Sequence, residues 1–317
     1  MGTSQSLKSR RIDNRFLGRL VVLMIITAFL IAAVFGVYYY ADRYVFFGDK
    51  SPAELQIEEL KVVVAHNPQD LEARVAMAQQ YYQSGNYSRA IQEAEAVLKA
   101  RPDDPAVLFL LGVAYSDVEQ TDAAVATLEY LVEIRRESPM AQVDRILEAA
   151  LYYLGLNYTK LNQADAAIEV LSEALEIDGA DADVFYQLGL AYALKGQHAW
   201  SIDAYQKAAM FVPDFTEAYE GMAKSYKALG NSYEASYAQG MTSFSKNDFE
   251  QAQQKLEEAA EGLPVFVPVY LGLALTFEGQ GEYGLAAKYV ERVLQLEPDN
   301  FNAQVVLSRL GSLESGG

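Results

Sequence analysis

Residues 81–104 read YYQSGNYSRAIQEAEAVLKARPDD, and the spacing inside this stretch recurs along the chain. Gly85 is followed by Ala90 and then by Pro102. The counterparts of Ala90 are Ala124, Ala167, Ser201, Ala235, Ala252 and Ala286. Successive counterparts are 34, 43, 34, 34, 17 and 34 residues apart. A dominant period of 34 residues predicts a solenoid of stacked repeats.

The residue types at these positions suit a pair of packed helices. Small residues recur where two antiparallel helices cross closely, and Gly or Asn occupies the short turn between them. Pro followed by Asp or Asn then ends the second helix and opens the next pair. Each pair is amphipathic, so neighbouring pairs must stack to bury their apolar faces.

The repeated positions resemble those of the tetratricopeptide repeat family. One copy consists of Phe185, Leu188, Gly189, Tyr192, Gly196, Ser201, Ala208 and Pro213. A second consists of Tyr270, Leu273, Phe277, Gly281, Tyr283, Ala286 and Pro298, and a third of Leu151, Leu154, Gly155, Tyr158, Ala167 and Ala174. The resemblance implies an all-α fold, a right-handed superhelix of antiparallel helix pairs.

The repeat register predicts a solenoid over residues 52–313, beginning with a leading helix at 52–66. The repeats are expected near 71–104, 105–138, 148–181, 182–215, 216–246, 233–266 and 267–300, followed by a closing helix at 301–313. The inserted residues 139–147 predict a first helix lengthened to about 139–161. The 17-residue step predicts that 233–246 serves two repeats, which should bend or divide the solenoid.

A 21-residue uncharged stretch, LVVLMIITAFLIAAVFGVYYY at residues 20–40, predicts a transmembrane helix. Four arginines precede it, so the positive-inside rule places the basic segment 1–19 in the cytoplasm. An aromatic juxtamembrane linker follows at 41–51. The prediction is a single-pass protein of the cell membrane with its solenoid in the periplasm or exterior. A cleaved signal peptide is the competing interpretation, although the stretch is long for one and ends in bulky rings.

Charge is distributed unevenly along the 317 residues. Residues 1–50 contain seven basic and three acidic side chains, a net charge of +4, whereas the chain as a whole has −18. The remainder therefore carries −22. Such an acidic body would repel phosphate backbones, which argues against nucleic-acid binding. Cysteine is absent, so there is no disulfide framework and no thiol nucleophile.

The resemblance implies that the first helices of the pairs line a concave groove that holds peptides or partner helices. In the first four repeats the groove positions are mainly aromatic and aliphatic. The predicted contacts are Gln79, Tyr82, Phe109, Val113, Tyr152, Leu156, Tyr186 and Leu190. The fifth repeat places Glu220, Lys224 and Lys227 at the same positions. Repeat-to-repeat packing is the alternative role for the aromatic side chains.

Chaperone-binding members of the family hold a terminal carboxylate with a Lys/Asn/Arg clamp. The clamp positions carry Glu72, Val75, Ala76 and Gln79 in the first repeat and Phe109, Leu110 and Val113 in the second. A co-chaperone role is therefore not expected.

Catalytic and cofactor motifs are missing from the sequence. The two histidines, His66 and His198, are far apart, and no phosphate loop or nucleophile elbow is present. We therefore expect no catalytic, cofactor-binding or metal site.

The sequence favours a non-catalytic, membrane-anchored scaffold that binds other proteins, recruiting or stabilising partners in envelope assembly, translocation or a membrane complex. The acidic body suggests a basic or amphipathic partner. The alternative is an integral structural subunit of a large multi-subunit membrane complex.

Overall fold

The structure, a computed structural model, describes residue 27 and residues 30–39 and 51–315. The described residues are helical or in short connections. Residues 30–39 are helical and are called α1. The other helices are α2 Pro52–His66, α3 Leu71–Gln83, α4 Tyr87–Leu98, α5 Pro105–Asp117, α6 Thr121–Arg136, α7 Arg145–Lys160, α8 Ala164–Ile177, α9 Ala182–Leu194, α10 His198–Phe211, α11 Thr216–Ala228, α12 Ser232–Ser245, α13 Phe249–Gly262, α14 Val267–Gly279, α15 Tyr283–Leu296 and α16 Phe301–Ser315.

The chain divides into two compact units, residues 1–68 and 69–317. In the first unit, α2 begins with a capping box, in which the Ser51 and Glu54 side chains bond each other's backbone amides. The predicted basic segment 1–19, the linker up to residue 50 and most of the predicted span 20–40 lie outside the described residues. Within the part of the chain that the structure describes, no helix is both long and apolar enough to cross a bilayer.

The second unit is an α-solenoid of antiparallel helix pairs. α3 packs on α4, α5 on α6, α7 on α8, α9 on α10, and α14 on α15. The first helices also touch one another in the order α3, α5, α7, α9 and α11. These five helices therefore form one continuous face, which the second helices cover from behind.

Glycines in the first helices permit this close pairing. A Cβ added at Gly155 would lie 2.4 Å from the Leu171 side chain, and one at Gly189 would lie 2.5 Å from the Tyr205 ring. The same contact joins Gly112 to Leu128 and Gly240 to Leu256. In each case the large side chain lies sixteen residues after the glycine. This pairing of a glycine with a large side chain therefore sets both the register and the spacing of the two helices.

The turn inside each pair requires one residue with a left-handed backbone conformation. Glycine or asparagine occupies this position in most pairs. Gly85 and Gly196 have φ of +74° and +75°, and Asn162 and Asn247 have φ of +58° and +60°. Such residues adopt this conformation at the lowest cost. Glycine and asparagine therefore recur at the turn positions of the repeat because the backbone there has a positive φ.

The insertion after the second repeat differs from the prediction. Residues Ala141–Val143 form one 3₁₀ turn, and α7 begins only at Arg145. Asp144 ends the connection because its side chain accepts bonds from the amides of Ile146 and Leu147 and pairs with Arg135 of α6. The predicted lengthened helix at 139–161 is thus wrong. The helix begins instead at Arg145, with Asp144 as its N-cap.

α12 occupies the position of the 17-residue step. It packs on both α11 and α13 and also contacts α14, as a first helix would. Its Gly240 receives Leu256 of α13 in the same way that other first helices receive their partners. One hydrophobic cluster runs from Phe185 of α9 to Leu310 of α16, so the core of the solenoid is not divided at this step.

Candidate partner-binding groove

The predicted groove residues all belong to the first helices α3, α5, α7 and α9, and their side chains differ in exposure. Gln79 is exposed. Half-buried side chains make up most of the row, namely Tyr82, Phe109, Tyr152, Leu156, Tyr186 and Leu190. Val113 is only 4% exposed, because α5 is covered over much of its circumference. Val113 is therefore a core residue, which corrects its prediction as a contact.

Tyr82 joins the first two repeats. Its hydroxyl donates to Asp117 at the end of α5 over 2.8 Å, and its ring lies 5.3 Å from that of Tyr87. Burial and this hydrogen bond raise the pKa of Tyr82 well above its usual value. The ring edge, rather than the hydroxyl, is what this residue can offer a partner.

An aromatic cluster fills the middle of the face. The Tyr153 ring lies 5.8 Å from Phe109 and 5.2 Å from Tyr152, both in edge-to-face geometry. Burial, and then the nearby Asp183 carboxylate, raise the pKa of Tyr152 to about 12. Each ring is packed on a neighbour yet keeps part of its surface in solvent. Tyr153 was not expected here, since its place in the repeat pattern differs from that of Tyr152.

Tyr186 and Leu190 of α9 line a cavity of about 190 Å³ that also reaches Glu220 and Lys224 of α11. The Tyr186 ring packs on Phe215 and Tyr205, at 5.1 and 5.9 Å. His198 lies at this cavity as well, and its Nδ1 atom is buried with no hydrogen-bond partner among the described residues. The lining of this cavity therefore combines apolar and polar side chains.

A second cavity, of about 320 Å³, continues the first where the register slips. We call it the lysine cavity. It is lined by Glu220, Ala223, Lys224 and Lys227 of α11, Gln239, Thr242 and Ser243 of α12, and Gln251 and Lys255 of α13. Lys255 and Gln251 were not anticipated, because nothing in the repeat pattern shows that α13 reaches this face.

A third cavity, of about 590 Å³, lies further along the solenoid. Apolar side chains predominate in its lining, including Met210, Met241, Leu271 and Val305. Sequence reasoning named none of them as contacts, since the resemblance was carried over only for the first five repeats.

The described residues contain no group of three or more His, Asp or Glu side chains placed to hold a metal ion. His66 bonds the backbone oxygen of Val62 over 2.8 Å, a local contact within α2.

Comparison with known families identifies the repeat. A family model described as TPR repeat matches residues 155–196, and models described as tetratricopeptide repeat match residues 57–108, 81–145 and 237–303. The chain is a tetratricopeptide-repeat protein. Proteins of this kind bind other proteins, which agrees with a face of half-buried aromatic and aliphatic side chains.

Individual relatives are distant. The chain is similar to the mitochondrial import receptor subunit TOM70 of Homo sapiens, with 23% identity over 259 residues. The match takes in 81% of this chain but only 39% of that relative's length.

Solved structures share the fold. A tetratricopeptide repeat protein from Parabacteroides merdae has a TM-score of 0.50 and 16% identity, over 86% of this chain and 98% of that one. MamA from Desulfovibrio magneticus has a TM-score of 0.50 and 20% identity, over 57% and 97%.

Proposed function

We propose that this protein is a non-catalytic, membrane-anchored scaffold that holds a segment of a partner protein on the concave face of its solenoid. It would recruit or stabilise partners in envelope assembly, translocation or a membrane complex. The observation that carries the proposal is the face of mutually contacting first helices α3, α5, α7, α9 and α11, with half-buried rings and neighbouring cavities. Such a surface suits anchor side chains of a peptide or helix.

The membrane anchor in this proposal rests on the uncharged residues 20–40 and the basic residues before them. The described part of that segment agrees with it, since the side chains of residues 30–39 are exposed and mostly apolar. Leu30, Ile31 and Phe35 are 59%, 71% and 68% exposed. Apolar side chains exposed to this degree along a helix are stable when another apolar medium covers them.

The test is affinity purification of the full-length chain in a gentle detergent, with co-purifying proteins identified by mass spectrometry. The groove variant is Tyr152→Ala with Tyr186→Ala. Its matched control is Tyr115→Ala with Tyr289→Ala, because those half-buried tyrosines contact Glu95 of α4 and Phe277 of α14 and are not among the predicted groove contacts. Circular dichroism compares the melting of the two variants.

We expect some partner proteins to co-purify with the control variant but not with the groove variant. Equal loss in both would assign these rings to stability and refute the groove. Exchange of residues 20–40 for another span of equal length separates the two classes of function, since recruitment survives the exchange. Loss of the partners only on that exchange would instead indicate an integral subunit whose anchor makes specific contacts.

A further inference from the structure

Positive charge is concentrated in the lysine cavity although the surrounding body is strongly acidic. Outside residues 1–50 the chain carries a net charge of −22. Three lysines nevertheless line this cavity together with one carboxylate, Glu220. A local reversal of charge inside a concavity attracts ligands of the opposite sign.

Two of the three lysines have no counter-ion within residues 51–312. Glu220, one turn from Lys224 on α11, pairs with Lys246 over 2.7 Å. Lys255 pairs with Glu258 over 2.7 Å. Lys224 and Lys227 are exposed and make no ion pair in that part of the chain. The cavity therefore has an unbalanced positive charge.

The remaining polar lining offers neutral hydrogen-bonding groups. The Ser243 hydroxyl donates to Gln251 over 2.9 Å, which orients both side chains at the junction of α12 and α13. Gln239 and Thr242 lie on the same wall. The lysine ammonium groups and the glutamine amides are donors that suit a carboxylate, and the lining lacks the guanidinium fork that favours bidentate phosphate binding.

The lysine cavity shares Glu220 and Lys224 with the cavity lined by Tyr186 and Leu190. The two cavities are therefore adjacent, and one extended ligand can contact both. In the cavity between α9 and α11 it would contact the apolar side chains of Tyr186 and Leu190. One segment of chain would thus find an apolar site beside a cationic one.

We propose that this part of the face binds an acidic protein segment, with an apolar side chain between α9 and α11 and a carboxylate in the lysine cavity. The inference rests on the proposed function and adds the chemistry of the partner. It differs from the expectation of a basic or amphipathic partner drawn from the net charge, because the local charge of the site differs in sign from that of the body.

The test is selection of random twelve-residue peptides displayed against the immobilised full-length chain. Selection is repeated with Lys224→Gln/Lys227→Gln. The matched control is Lys99→Gln/Lys288→Gln, which removes two exposed lysines that do not line the cavity, one directly after α4 and one in α15. Circular dichroism verifies that all three proteins melt alike.

The original chain and the control should both enrich peptides that carry Asp or Glu beside a large apolar residue. The cavity variant should lose this enrichment, and a synthesised peptide should bind it about tenfold more weakly, since each exposed ion pair contributes modestly. Affinity should also fall with added salt. Amidation of the C-terminus and Glu→Gln or Asp→Asn replacement distinguish a terminal from a side-chain carboxylate.

Enrichment without acidic residues, or acidic enrichment that the cavity variant retains, would overturn this inference. In that case peptide binding that still depends on Tyr152 and Tyr186 would leave the proposed function standing. Enrichment of no peptide by the original chain would count against both.

Discussion

Replacing Gly155 by Ala tests whether close helix approach sets the geometry of the solenoid. The added Cβ would lie 2.4 Å from Leu171 Cγ, about 1 Å inside ordinary contact, and Leu171 is fully buried. Overpacking of this kind costs about 1–3 kcal/mol. Helix propensity returns about 1 kcal/mol. The net expectation for Gly155→Ala is a free energy of unfolding lowered by up to about 2 kcal/mol.

The effect of Gly155→Ala on the free energy of unfolding should change sign when the Leu171 side chain is removed. Leu171→Ala leaves a cavity and costs about 2–5 kcal/mol. Adding Gly155→Ala to that variant should raise its stability, because the methyl group enters the cavity and the helix gains propensity. The double-mutant cycle should therefore give a coupling of about 1–3 kcal/mol.

Urea unfolding followed by circular dichroism measures all four proteins of the cycle. Gly284→Ala is the control, since that glycine lies in a helix with nothing within 4 Å of an added Cβ. We expect it to be neutral or stabilising by at most about 1 kcal/mol. Additive effects in the cycle, or a Gly155→Ala as harmless as the control, would refute the packing argument.

Two further predictions follow from the polar contacts of the solenoid. Asp144→Ala removes the cap of α7 and the partner of Arg135, and the Asp144 side chain is only 4% exposed; urea unfolding should show a loss of about 3 kcal/mol. Replacing the exposed Asp122 by Asn should change the free energy of unfolding little. Equal losses of stability for Asp144→Ala and Asp122→Asn would contradict the role of Asp144 as a cap and ion-pair partner. Stability should also fall in alkali, because burial raises the pKa of Tyr152 and Tyr219 to about 12 against about 10 when unfolded. This stabilisation is complete below pH 10 and is lost as the pH rises from 10 to 12, so melting curves unchanged up to pH 12 would contradict it.

The repeat was predictable from sequence because the residues that recur with its period act within a single helix pair. Gly85 serves a turn with positive φ, and Gly155 permits contact with Leu171. The start of α7 is harder to predict, because residues 140–147 contain no Pro or Gly and only the capping side chain of Asp144 marks the boundary.

The groove was only partly predictable. Exposed positions such as Gln79 follow from the repeat register, whereas the burial of Val113 depends on how neighbouring pairs cover α5. The lysine cavity needs α11, α12 and α13 together, and Lys255 enters it only because the register slips at α12. Such a site arises from tertiary packing and has no local signature.

The most direct test of the central claim is photo-crosslinking of the full-length chain in its own cells. A photoreactive phenylalanine analogue replaces Gln79 of α3 in one version and Gln92 of α4 in another, and both glutamines are exposed. A further version carries the analogue at Leu190. We expect the analogue at Gln79 or at Leu190 to capture the partner, and the analogue at Gln92 not to capture it. Capture from Gln92, with none from either position on the concave face, would contradict it.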